Sequence, residues 1–199
     1  MNNFDEVFDV LVVGSGCGGL TAALTADISN PSKVLVIEKG HLIGGTSATS
    51  GGVIWIPNNH HAQKCGADDS IAEAKEYLKA TIPEQEFNEP LIDAYLEHGP
   101  KMVRFMEDNT DARYTSLEHY PDYFQDAPGV KLGNRALEPL PISAKTLGDD
   151  VDNLHPSGPQ TILFGRYGVN FEESHAFTTQ SPGWFRLFIK IFFRMGNKP

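Results

Sequence analysis

The sequence predicts an α/β fold, on three observations from its first forty residues. A short apolar run rich in β-branched residues stands at 8–13 (FDVLVV) and stops at a glycine cluster. A second such run follows at 34–37 (VLVI). Between them, residues 20–28 are mostly Ala, Leu and Thr, read as a helix that Asn30, Pro31 and Ser32 break. Unbroken apolar runs suit strands buried on both faces, as in a parallel sheet, and a helix between them is the crossover that parallel strands need.

The junction between first strand and helix carries the chemistry. Gly14-Ser15-Gly16-Cys17-Gly18-Gly19 satisfies G-x-G-x-x-G through Gly14, Gly16 and Gly19. In that pattern the first glycine permits a tight turn, the second lets a pyrophosphate approach the backbone, and the third lets helix and strand pack closely. The helix N-terminus adds free N–H groups and a positive dipole end. The second strand ends at Glu38, nineteen residues past Gly19, where an acid accepts hydrogen bonds from ribose hydroxyls. An acid there disfavours a 2′-phosphate and so argues against NADP. Residues 44–52 (GGTSATSGG) follow Glu38 and Lys39 closely, where an NAD domain would place a helix and third strand. Gly44, Gly45, Thr46, Ser47, Ser50, Gly51 and Gly52 are small or hydroxyl-bearing, so their backbone can line a flat ligand and its phosphates. The expected cofactor is FAD, on a Rossmann-like, glutathione-reductase-type domain.

Further along, Ser70 reads as an N-cap with Glu73 completing a capping box, opening a helix to about Ala80. A second helix is predicted over 90–107, with Leu91, Ala94, Tyr95, His98, Met102 and Phe105 on one face. From 114 to 168 the chain is rich in Pro and Gly and reads as loops with short strands, which marks a functional surface. The chain then divides into a βαβ core with its flavin loop (1–59), a helical segment (60–110), a loop-rich, active-site-facing segment (111–183) and a basic amphipathic tail (184–199).

Residues 38–58, E-K-G-x-x-x-G-G-T-S-A-T-S-G-G continued by Val53-Ile54-Trp55-Ile56-Pro57-Asn58, resemble the fumarate reductase and 3-ketosteroid dehydrogenase flavoprotein superfamily. Tyr120-Pro121-Asp122-Tyr123-Phe124 resembles the aromatic-Pro-Asp-Tyr-aromatic motif of the 3-ketosteroid Δ1-dehydrogenases, and 133–139 (GNRALEP) resembles the segment after it. The resemblance implies a flavoenzyme that desaturates ring A of a steroid-like apolar substrate and passes electrons to an acceptor. Hydride goes from C1 to flavin N5, and a tyrosine base takes a proton from C2. It implies for Tyr123 a place beside the flavin, hydrogen-bonded to that base, which comes from a later domain. The family continues through a second flavin-binding segment and a catalytic domain, so the chain is expected to be an incomplete FAD-binding domain missing its C-terminal half. Two alternatives stand: a reductase of enoate substrates such as fumarate, which needs arginines to clamp carboxylates, and a catalytically inactive FAD-binding remnant.

Composition sets the outer limits. A formal charge of −10 repels nucleic-acid phosphates. Two cysteines, Cys17 and Cys65, fit a reducing compartment, and the acidic N-terminus carries no secretory signal; a cytoplasmic protein is expected. No metal site is expected: His60-His61 with Cys65 nearby lacks an array of further ligands and reads as a solvated loop. Cys17 reads as a small filler, and Arg135 and Arg166 as surface charges. Residues 184–199 hold four basic residues and no acid, against 12 basic and 26 acidic before them. Arg186, Lys190 and Arg194 form one stripe beside a broad apolar face, so Trp184 to Met195 is a candidate for aggregation or for membrane-surface contact.

Overall fold

A computed structural model describes residues 6–30, 32–158, 162–163, 167–180 and 182–196. In chain order the elements are β1 (Val10–Val13), α1 (Cys17–Ser29), β2 (Val34–Ile37), α2 (Gly45–Thr49), β3 (Ile54–Trp55), α3 (His60–Lys64), α4 (Ile71–Thr81), α5 (Glu89–Asn109), β4 (Tyr114–Ser116), β5 (Ala136–Pro139), β6 (Ile162–Leu163), β7 (Tyr167–Gly168), α6 (Phe171–Thr179) and α7 (Trp184–Gly196). Two compact units result, Met1–Gly52 with Pro141–Pro199, and Val53–Leu140. Among the described residues no helix is long and apolar enough to cross a membrane.

In the first unit β1 and β2 pair in parallel, Val10 opposite Val34 through Val13 opposite Ile37, and α1 packs against both. Burial on both faces is not met. Leu11 and Val13 are 59% and 76% exposed among the described residues, although α1 packs on both strands. Residues 45–49, expected as open loop, wind into the short helix α2 behind Gly44, which has a φ of 104°. A bridge of Ile43 to Leu154 ties the loop after β2 to the later segment. The loop-rich stretch also yields α6, opened by a capping box of Asn170 and Glu173. The tail is helical as α7 and packs on α6. Its apolar face is only partly open: Ile191 is buried, whereas Trp184, Phe185 and Ile189 are exposed. Arg166, Lys198 and the Arg194 side chain lie outside what the structure describes.

In the second unit β5 lies between β3 and β4, antiparallel to both. The helix after Ser70 is present as α4: Ser70 Oγ accepts the Glu73 N–H at 3.2 Å and donates to the Glu73 carboxylate at 2.9 Å. The inward face of α5 differs from expectation. Leu91, Ala94, Tyr95 and His98 are exposed, and Leu96, Gly99, Val103 and Met106 are buried. Both series have helical spacing. What separates them is Gly99, where a Cβ would sit 3.3 Å from Ile56 Cδ1, so the glycine face is the one that admits Ile56. Ile56, Val103 and Leu137 form the core.

Candidate functional site

The turn after β1 is built around two glycines. Gly14 has a φ of 97°, which favours glycine, and its N–H donates to the Ile37 carbonyl at 2.7 Å. A Cβ on Gly19 would stand 2.1 Å from the Gly14 carbonyl oxygen, so only glycine lets the first turn of α1 lie on the loop. Gly16 is the N-cap of α1 and caps with no side chain, while at Gly18 a Cβ would meet nothing within 4 Å. Cys17 is exposed at the first helical position, with its N–H donating to Ser47 Oγ at 3.0 Å. No acid stands in the first turn. The α1 N-terminus thus presents backbone donors and a positive dipole end with no acid in its own first turn, which is what a pyrophosphate needs.

Ser15 is the hub. Its hydroxyl donates to Glu38 Oε2 at 2.6 Å and accepts the Gly44 N–H at 2.9 Å, and its own N–H donates to Glu38 Oε2 at 2.9 Å. Glu38 Oε1 accepts the Gly40 N–H at 2.8 Å. The Gly40 N–H first, then the Ser15 hydroxyl and N–H, hold the Glu38 carboxyl down at about 2. The glycine loop, the end of β2 and the segment opening α2 are therefore pinned together through Ser15 and Glu38. Lys39 is exposed beside them. Ser50 Oγ accepts the Gly52 N–H at 3.1 Å, and Thr46 and Gly51 face solvent. All the cofactor candidates, Gly14 to Gly19, Glu38, Lys39 and Gly44 to Gly52, fall in the first unit. The donor set and the glycine cradle fit an FAD.

Tyr123 belongs to the second unit and is 87% exposed. It lines a cavity of about 340 Å³ with Trp55, Tyr77, Leu78, Tyr120 and Pro121 among its walls. Tyr120 neighbours Tyr123, and burial followed by that neighbour raises the Tyr120 phenol above the ordinary tyrosine value. Tyr77 Oη accepts the Phe124 N–H at 3.1 Å, which positions the turn carrying Tyr123.

Behind this cavity lies a network that sequence reasoning missed. Arg135 is buried, not a surface charge. Its Nη2 and Nε hold Asp69 Oδ1 at 2.8 and 3.1 Å, its Nη1 holds Asp122 Oδ2 at 2.7 Å, and it lies over the Trp55 and Tyr77 rings. Asp122 also accepts from Trp55 Nε1 at 2.7 Å and from the Lys131 N–H at 2.9 Å. The signal available was that Asp122 and Arg135 each sit within a motif quoted above. The His60-His61 pair is likewise not a solvated loop. Asn59 caps α3 through the Ala62 N–H at 2.8 Å, His60 is buried, and both rings reach the Glu107 carboxylate.

The FAD binding domain family model matches residues 9–161, and the chain belongs to that family, whose cofactor is FAD. Its sequence is 41% identical over 174 residues to 4-oxocyclohexanecarboxylate 2-dehydrogenase of Sinomonas cyclohexanicum, covering 87% of this chain and 29% of that one. It is 42% identical over 153 residues to 3-oxosteroid 1-dehydrogenase of Mycobacterium tuberculosis, covering 76% and 27%. The crystal structure of 3-ketosteroid Δ1-dehydrogenase from Sterolibacterium denitrificans, in complex with 1,4-androstadiene-3,17-dione, superposes with a TM-score of 0.85 at 42% identity, over 92% of this chain and 32% of that one. The chain spans about a third or less of the length of the relatives it matches.

Proposed function

We propose that the chain is the FAD-binding part of a flavin-dependent dehydrogenase that desaturates a ring ketone of the 3-ketosteroid kind. In this reading the backbone N–H groups at the α1 N-terminus hold the pyrophosphate, those of Gly14 and Ser15 being taken by the Ile37 carbonyl and Glu38, with the Ser47 hydroxyl giving up the Cys17 N–H to a phosphate oxygen. Glu38 accepts from the ribose through the remaining lone pairs of its carboxylate, and Lys39 sits beside it. Gly44, Gly45, Thr46, Ser47, Ser50, Gly51 and Gly52 line the flavin side. FAD, when bound, supplies the acceptor for a hydride leaving a ring carbon. Tyr123 orients the group that takes the proton from the adjacent carbon, so hydride and proton leave together as a carbon–carbon double bond forms.

What carries the reading is the pairing of Tyr120 and Tyr123 on the wall of an apolar cavity. A tyrosine hydroxyl at the ordinary value near 10 is a poor base at neutral pH, and a hydrogen-bonded phenol beside it is the help it needs. A second reading, a small cyclic ketone bearing a carboxylate, draws on the Sinomonas relative. A carboxylate wants a cation, and among the described residues no cation lines this cavity; Arg135 behind it is engaged by Asp69 and Asp122. The same absence weighs against the enoate reductase. A cytoplasmic setting fits the two free thiols, and an electron acceptor is required whichever ketone is used.

A chimera tests this. Residues 9–161 replace the matching segment of the Mycobacterium tuberculosis relative, and turnover of a 3-ketosteroid is compared with that of 4-oxocyclohexanecarboxylate. Steroid turnover supports the reading; turnover of the carboxylate alone, or an FAD-loaded chimera inert on both, overturns it.

A further inference from the structure

We propose that His60, His61 and Glu107 form a binding site for a divalent transition-metal cation of the zinc class. The Nε2 atom of His60 lies 2.8 Å from Glu107 Oε2, and that of His61 lies 2.9 and 3.1 Å from Oε1 and Oε2. One ligand atom from each residue can be chosen so that all three lie within 4.8 Å of one another. Zinc sits about 2.0–2.2 Å from nitrogen and oxygen ligands, so in a tetrahedron those atoms stand about 3.4 Å apart. The nitrogens and the carboxylate therefore need to part by about half an ångström. Three protein ligands leave one position for water, and a cavity of about 470 Å³ opens on the cluster and gives the ion its way in.

The cluster is preorganised by the fold. Asn59 caps α3 and fixes where the two rings emerge. Glu107, near the end of α5, is held from a third side by the Tyr114 N–H, which donates to Oε1 at 3.0 Å. The rings themselves pack against each other at 4.1 Å between centroids. Without a cation both Nε2 atoms donate protons to the one carboxylate, and His60 Nδ1 is buried with no hydrogen-bond partner. Metal binding moves each ring's proton to Nδ1 and exposes the Nε2 lone pair. For His60 that exchange sacrifices no bond at Nδ1, because none is made there.

The surroundings choose among metals. Lys64, Arg104 and Arg113 line the same cavity and oppose any cation, while Asp108 favours one. Calcium and magnesium need many hard oxygen ligands, and among the described residues Glu107 is the one carboxylate within the cluster. Two imidazoles and a carboxylate suit zinc and its neighbours, whose bonds to nitrogen are strong enough to offset the nearby positive charge.

The test uses the full chain without an affinity tag, stripped of metal by chelator and titrated calorimetrically with zinc chloride, and in parallel with cobalt(II) followed by absorption. One equivalent of zinc should bind, and the cobalt form should show a visible ligand-field band with no thiolate charge-transfer band. His61→Ala, at a half-buried position, should weaken zinc binding by more than about tenfold. Glu107→Gln keeps an oxygen for the Tyr114 N–H and should weaken it comparably. Folding of each variant is read by circular dichroism. Absence of zinc uptake, or uptake undiminished in both folded variants, overturns the site, as does uptake that Cys65→Ser abolishes.

Discussion

Arg135 and Asp122 are paired at 2.7 Å, Nη1 to Oδ2, with both side chains out of water. The bond ties the Tyr120 to Phe124 segment to the strand β5, and a second pair to Asp69 ties β5 to the start of α4. Removing the guanidinium leaves two carboxylates buried without their cation. Arg135→Ala should therefore lower stability by about 3–5 kcal/mol. Arg135→Lys should recover little, because one ammonium cannot reproduce a fork that reaches two carboxylates. Denaturant unfolding followed by tryptophan emission measures both; a loss within about 0.5 kcal/mol for Arg135→Ala would mean the network does not support the fold.

Gly19 and Gly18 make a matched pair of tests. Gly19→Ala forces a Cβ to 2.1 Å from the Gly14 carbonyl, whereas Gly18→Ala meets open space. The first should cost about 1–3 kcal/mol and abolish FAD retention. The second should leave the thermal midpoint nearly unchanged, although a methyl group there can still disturb the cofactor. Equal midpoints for the two variants would show that the α1 turn is not packed as described.

The Glu38 carboxyl, held at about 2 against an ordinary value of 4.5, gives a pH dependence with a definite sign. Its folded value is depressed, so its contribution to stability is present above pH 4.5 and is lost as pH falls from there towards 2. Glu38→Gln should flatten that part of the stability profile. Glu38→Ala should also weaken FAD binding roughly ten- to a hundredfold, the range for a hydrogen bond to a charged group. An unchanged affinity in a flavin titration would remove Glu38 from the ribose.

What the sequence made legible was local. The β1-α1-β2 unit and α4 follow from runs of a few residues, a glycine pattern and a cap. The helical period located α5 but allowed two faces, and only contact with Ile56 across Gly99 decides between them. The β3-β5-β4 sheet was hidden because its strands are two to four residues long and Trp55 pairs with Ala136 across most of a domain. The same distance in sequence hid Arg135 with Asp69, and His60 and His61 with Glu107: each residue alone looks like a polar side chain facing water. Strand burial was overestimated because an apolar run states what a strand requires, and Leu11 and Val13 stay exposed among the described residues.

Tyr123→Phe, made in the chimera, should cut the turnover number by roughly ten- to a hundredfold, about 1.4–2.7 kcal/mol of transition-state stabilisation, with FAD content unchanged. Parallel losses of flavin and activity would assign Tyr123 to folding instead.

The exposed face of α7, with Trp184, Phe185 and Ile189 beside Arg186 and Lys190, should drive aggregation more than specific membrane binding. Phe185→Ser with Ile189→Ser should raise the soluble yield and spare FAD binding. Saturable co-sedimentation of soluble parent protein with anionic vesicles, absent with neutral ones and lost in the variant, would favour the membrane instead.

In the proposed function, the loop from Gly14 to Gly19, with Glu38 and the segment from Gly44 to Gly52, holds FAD. The direct measurement saturates the purified chain with FAD or with NADP, removes free ligand by gel filtration, and identifies and counts what denaturation releases. One FAD per folded chain, with no NADP retained and FAD lost in Gly19→Ala, is the predicted result. A folded chain that retains no FAD, or retains a nicotinamide dinucleotide in its place, would contradict it.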